Sequence, residues 1–132
     1  MKVSVEKQSD GTYIAYNTDG DYCTLIGTGD TVKEAKEDFF NSIEEVKESY
    51  KERGDFMPIE LTSEVEFQFD ISSLFEYYSM FNVSALGRYL GINPGLMRQY
   101  KKGDTPISDA QLEKIETGIH RLATELASLS LV

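Results

Sequence analysis

Residues 83–103 read VSALGRYLGINPGLMRQYKKG, two short helical patterns with a tight break between them. Ser84 is placed to cap the first, whose apolar Leu86 and Leu90 lie one turn apart. Gly91 closes it where a left-handed residue is needed, and Ile92 plugs the corner. Asn93 caps the second helix, and Pro94 takes its first position, where a missing N–H costs nothing. Met97 and Tyr100 then face inward and leave Arg98, Gln99, Lys101 and Lys102 outside. This is the outline of a helix-turn-helix, whose second helix lies in the DNA major groove. A plain helical hairpin has the same outline. The charge favours DNA, because four of the six residues from Arg98 to Gly103 are polar or basic in an otherwise acidic chain.

Downstream, Asp104-Thr105-Pro106 forms a turn, and Ser108 with Gln111 offers a capping box. Leu112, Ile115, Ile119, Leu122, Leu126 and Leu129 follow at spacings of three and four, one helical stripe. That stripe either closes the helix-turn-helix core or pairs its distal half, Leu122, Leu126 and Leu129, with another copy. The second option implies a homodimer or higher homo-oligomer. Upstream, Ser72–Met80 reads as a helix leading into the motif.

The first half reads differently. Lys2–Lys7 alternates with Val3 and Val5 on one face, a half-buried strand. Ser9-Asp10-Gly11 turns the chain into Thr12–Asn17, and Asp19-Gly20-Asp21 turns it again into a third strand at Tyr22–Ile26. Thr31 and Glu34 form a capping box before a helix whose stripe is Val32, Ala35, Phe39, Ile43, Val46 and Tyr50. Gly54 ends it, and the opposite face, including Lys36, Glu37, Glu44 and Glu48, reads as solvated. Met57–Leu61 is an extended link. Val65, Phe67, Phe69 and Ile71 then alternate with Glu64, Glu66, Gln68 and Asp70 in a fourth strand. The expected fold is α+β: a β-β-β-α-β sheet-plus-helix domain over 1–71, then an all-α helix-turn-helix domain over 72–132.

Charge divides along the same line. Residues 1–71 hold seven basic and seventeen acidic residues, a balance of −10; residues 72–132 hold six of each. An acidic module repels nucleic acid and attracts basic proteins, with Glu64, Glu66 and Asp70 along the last strand as contact candidates. The neutral module gathers its positive charge on one helix. There, Arg98 and Gln99 are base-reading candidates, since both make bidentate contacts to base edges. Lys101, Lys102 and Asn93 are the phosphate-contact candidates on double-stranded DNA.

Catalytic chemistry finds little footing. His120, the single histidine, lies beside the apolar stripe with no carboxylate or nucleophile spaced to work with it. Cys23, the single cysteine, sits in an apolar strand pattern and reads as a buried structural thiol. Gly27-Thr28-Gly29 lacks the further glycine and Lys-Ser/Thr of a phosphate loop, and a tight strand-to-helix turn explains it. The β-β-β-α-β order raises ribonuclease-H-like nucleases, but the first strand's interior is Val-Ser-Val, so no catalytic residue, metal site or cofactor is expected. With no apolar stretch near the roughly 20 residues of a membrane span and no signal-peptide core at Met1–Val5, a cytoplasmic location and no membrane partner are expected.

TYIAY followed by a strand, with Gly29, Thr31, Glu34 and Ala35 of G-T-G-D-T-V-K-E-A opening a helix, resembles the HicB antitoxins of bacterial toxin–antitoxin pairs. The Pro-Gly pair usual before that glycine is absent. The resemblance covers essentially the whole chain. It implies a degenerate ribonuclease-H-like domain followed by a DNA-binding domain, and no enzymatic activity. It further implies that the chain binds a small basic HicA-like ribonuclease toxin and represses the pair's own promoter through operator DNA. The competing expectation is an orphan HicB-like regulator or interaction module without a toxin, its helical half serving only dimerisation.

Overall fold

Alternation in Lys2–Lys7 (β1) sends Val3 and Val5 to the covered face, where neither is exposed to solvent. The computed structural model of the protein describes residues 1–20 and 23–132. β1 pairs antiparallel with Tyr13–Asn17 (β2), which pairs antiparallel with Ile26–Gly29 (β3). On its other side β1 pairs in parallel with Glu66–Phe69 (β4), so the sheet order is β3-β2-β1-β4. Over one face lies Val32–Arg53 (α1), burying Val32, Ala35, Phe39 and Ile43 against Val3, Val5 and Ala15. The Thr31 hydroxyl accepts the Glu34 N–H at 3.1 Å, while Glu34 reaches back to the Asp30 N–H at 2.9 Å. Gly54, at φ 69°, closes the helix.

Four expectations for this half are corrected. Cys23, Thr24 and Leu25 of the expected third strand are not in strand; it begins at Ile26 and runs through Gly27-Thr28-Gly29, which the sequence marks as a turn. Asn17 sets that start: its side chain accepts the Leu25 N–H at 2.7 Å and donates to the Cys23 carbonyl at 2.8 Å, holding those residues off the ladder. Asp21 of the expected turn and Tyr22 of the expected strand lie outside the described residues. Met57–Leu61 is not simply extended, because a 3₁₀ turn at Ile59–Thr62 buries Leu61. Lys36 is only partly exposed: its ammonium lies 4.3 Å from the Phe67 ring centre and 4.2 Å from that of Tyr77.

The fourth correction moves the domain boundary. β4 stops at Phe69 because Asp70 caps Ile71–Tyr77 (α2), accepting the Ser73 N–H at 2.8 Å and the Lys7 N–H at 2.9 Å. From α2, Phe75 is buried and Glu76 accepts the Val32 N–H at 2.9 Å at the start of α1. The helix expected to lead into the second domain therefore belongs to the first. Two compact units result, Met1–Met80 and Phe81–Val132, in place of the expected division at 71/72.

The second unit is helical: Val83–Leu90 (α3), Pro94–Lys102 (α4) and Asp109–Ala127 (α5). Its core is Val83, Leu86, Leu90, Ile92, Met97, Tyr100 and Ile115. Asn82 rather than Ser84 caps α3, accepting the Ala85 N–H at 2.9 Å. Among the described residues, no helix is long and apolar enough to cross a membrane.

Candidate nucleic-acid interface

The turn between α3 and α4 holds the site. Gly91, at φ 74°, supplies the left-handed residue, and Ile92 donates its N–H to the Gly87 carbonyl at 2.8 Å. Gly87 has a second role that the sequence reading overlooked. A Cβ there would stand 2.8 Å from Met97 Cγ and 3.0 Å from the Ile92 carbonyl oxygen. Only a residue without a side chain lets the two helices cross so closely. Glycine in mid-helix costs roughly 1 kcal/mol against alanine, and this was the signal available. Lys114 of α5 ties the same corner, donating to the Gly91 carbonyl at 3.2 Å.

Asn93 caps α4 as expected, with Oδ1 accepting the N–H groups of Gly95 at 2.8 Å and Leu96 at 3.2 Å. That oxygen is committed to the helix, so only the Asn93 amide N–H₂ could donate to a phosphate. Met97 and Tyr100 are buried beneath α4; Arg98, Gln99, Lys101 and Lys102 are all exposed above it. Arg98, Gln99 and Lys102 share one face, spaced as neighbours along consecutive turns, with Lys101 beside them. The Arg98 guanidinium donates through Nη1 to the Ser84 hydroxyl of α3 at 2.8 Å. Gln99 accepts from the Thr105 hydroxyl at 3.2 Å. No acid occurs within α4, and the two lysines at its C-terminal end complement the helix dipole. Chemically, the face offers one planar fork, one amide and two ammonium groups.

Of the three candidates for self-association, Leu122 and Leu126 lie near the end of α5 and Leu129 beyond it. Leu122 is half-buried, and Leu126 is 54 % exposed. Leu129, 65 % exposed, lies past Ala127, where the helix ends, so the seam is shorter than its spacing suggests. Nearby, Arg121 lies 5.2 Å over the Tyr89 ring, and the Tyr89 hydroxyl donates to Glu125 at 3.4 Å. His120 is exposed on the same helix.

The acidic candidates of the first unit do not form one row. Glu66 opens β4 and is exposed with Gln68 on the sheet's outer face. Glu64 precedes the strand and is also exposed. Asp70 caps α2, its two oxygens taken up by backbone N–H groups. On the other face of β4, Phe67 and Phe69 stack into a ladder with Phe40, Tyr77 and Tyr78, of which Phe40 is 43 % exposed. Alternation announced the strand but not this aromatic cover.

The remaining chemistry is sparse. Gly27 lies directly on α1, where a Cβ would run into the backbone of Ala35 and Phe39, and the Thr28 N–H is taken by Asp38 at 2.8 Å. The Gly-Thr-Gly segment thus faces helix backbone rather than an open phosphate cradle. Burial pushes the Cys23 thiol above its ordinary value. Among the described residues, no three His, Cys, Asp or Glu side chains cluster as metal ligands would. Compared with protein-family models, curated proteins and solved structures, the chain finds no match.

Proposed function

We propose that this chain is a non-enzymatic, HicB-like antitoxin and autorepressor. Its first unit, on this reading a degenerate ribonuclease-H-like domain, occludes a small basic ribonuclease toxin of HicA type, and its second binds operator DNA as a homodimer. The observation that carries the reading is the α3–α4 corner. It combines a glycine-closed turn, an Asn-Pro helix start and a buried Met97–Tyr100 underside with an exposed face of Arg98, Gln99, Lys101 and Lys102. The β-β-β-α-β order, with β4 parallel to β1, supports the ribonuclease-H-like reading of the first unit. For the toxin contact, Glu64 and Glu66 remain exposed; Asp70 acts in the fold instead.

The test is a fluorescence titration of the full chain against DNA from upstream of its own gene, repeated over a range of salt. Lys102→Ala weakens binding to all sequences and flattens the salt slope by about one counterion's worth. Gln99→Ala costs roughly 1–3 kcal/mol on the preferred site only. Equal affinity of wild type and both variants for promoter and unrelated DNA rejects the operator-binding role.

A further inference from the structure

In the structure the helix cap and the Ser84 hydroxyl are separate things. Asn82 caps α3, so Ser84 is not needed to start the helix, and its oxygen instead takes the Arg98 Nη1 donor at 2.8 Å. On the other side of the guanidinium is Gly95, one turn back along α4. A Cβ at Gly95 would stand 3.5 Å from Arg98 Nη2 and 3.1 Å from the capping Asn93 Oδ1. Arg98 therefore folds back toward the N-terminal end of α4, lying between a hydroxyl of the first helix and bare backbone of the second. In a helix-turn-helix that end of the second helix is the one that contacts base edges.

We infer that Ser84 is a positioning residue for base reading, holding the Arg98 fork in one orientation before DNA arrives. The inference rests on the DNA-binding reading above and deepens it. An exposed arginine carries about 2 kcal/mol of rotamer entropy, which a bidentate contact must overcome. A fork already held at one nitrogen loses less of it on binding. The bond to Ser84 uses Nη1 and leaves the Nε–Nη2 edge for the O6 and N7 acceptors of a guanine. Ser84 would thus control which base pair is read, and how sharply, without touching a base itself.

The full chain is titrated by fluorescence anisotropy against its own upstream DNA and against variants of that site altered one base pair at a time. Ser84→Ala should weaken the preferred site roughly three- to tenfold, the value of one hydrogen bond, and flatten discrimination at a single base pair. Its salt slope should stay as in wild type. Ser84→Thr, which keeps the hydroxyl, should keep the discrimination. In an Arg98→Ala background, Ser84→Ala should have no further effect. Circular dichroism confirms that each variant is folded, and alanine at this helical position favours the helix. If wild type binds specifically but the Ser84→Ala and Arg98→Ala losses add, or Ser84→Ala weakens every site equally, the positioning role is wrong and the DNA reading stands. If wild type shows no preference for any of these sequences, both fall.

Discussion

Gly87 shows how much can hang on one missing side chain. Replacing it with alanine gains about 1 kcal/mol of helix propensity but drives a methyl into the Ile92 carbonyl and Met97, and overpacking of this kind costs roughly 1–3 kcal/mol. The carbonyl is backbone and cannot swing away, so the steric cost wins. Gly87→Ala should lower the urea midpoint, and Gly87→Val should lower it further, with no change in slope. Gly27→Ala should be worse still in its own unit, because there both obstacles are helix backbone. A second residue-scale expectation concerns Cys23. Its half-buried thiol, held protonated above the usual range by burial, should react with iodoacetamide at about pH 8 more slowly than a free thiol. Urea should abolish the difference. An equal rate in the folded protein would mean that the thiol is open to solvent.

At the scale of elements, α5 is the least explained by its own unit. It buries only Ile115 and Gly118 fully, and its distal leucines face outward. A second copy covering them would put two α4 helices in one particle, and specific binding by small motifs needs two such helices on half-sites about one DNA turn apart. Light scattering of the full chain should therefore give twice 14.9 kDa, and Leu126→Asp with Leu129→Asp should return it to one. Both side chains are exposed within one chain, so this change should leave folding stability within about 0.5 kcal/mol. A dimer that survives it would place the interface elsewhere. The elements differ in how far the sequence announces them. β1, α1 and α4 were legible because period, cap and stop signal agree: Val3 and Val5 alternate, Thr31 and Gly54 bracket α1, and Asn93 and Gly103 bracket α4. β3 was not, because two of its four residues, Gly27 and Gly29, are glycines that allow close approach to α1 rather than strand formers. The end of β4 was hidden because Ile71 continues the alternation while Asp70, by capping, breaks it. Of the candidate interface, the exposed α4 side chains could be read from spacing, whereas the Ser84–Arg98 bond could not, since it joins residues 14 apart across a turn.

For the whole molecule, moving the boundary to Met80 sharpens the charge division. Residues 1–80 hold seven basic and eighteen acidic residues, a balance of −11, and residues 81–132 hold six and five, a balance of +1. On the proposed reading, the net charge of the first unit would repel nucleic acid, while that of the second would not. A ribonuclease must expose positive charge to hold RNA, so an acidic unit lying over that surface excludes the substrate. Charges of this kind chiefly raise the association rate, while apolar contacts set the lifetime of the complex. Glu64→Gln with Glu66→Gln should therefore slow association with the proposed toxin more than it speeds dissociation. Asp70→Ala should act differently, costing about 1–2 kcal/mol of stability through the lost cap. The boundary also decides which fragment can be tested. A chain ending at Ile71 discards Phe75, whose burial is worth about 1.5–3 kcal/mol, and the Glu76 contact that holds the start of α1. We expect residues 1–80 to unfold in one cooperative thermal transition and residues 1–71 to melt lower or not to fold. The longer fragment should then suffice to stop RNA cleavage by the toxin, with an association rate that falls steeply as salt rises. If residues 1–80 fold cooperatively yet leave that cleavage untouched, neutralisation is not a property of this unit and the toxin-binding assignment fails.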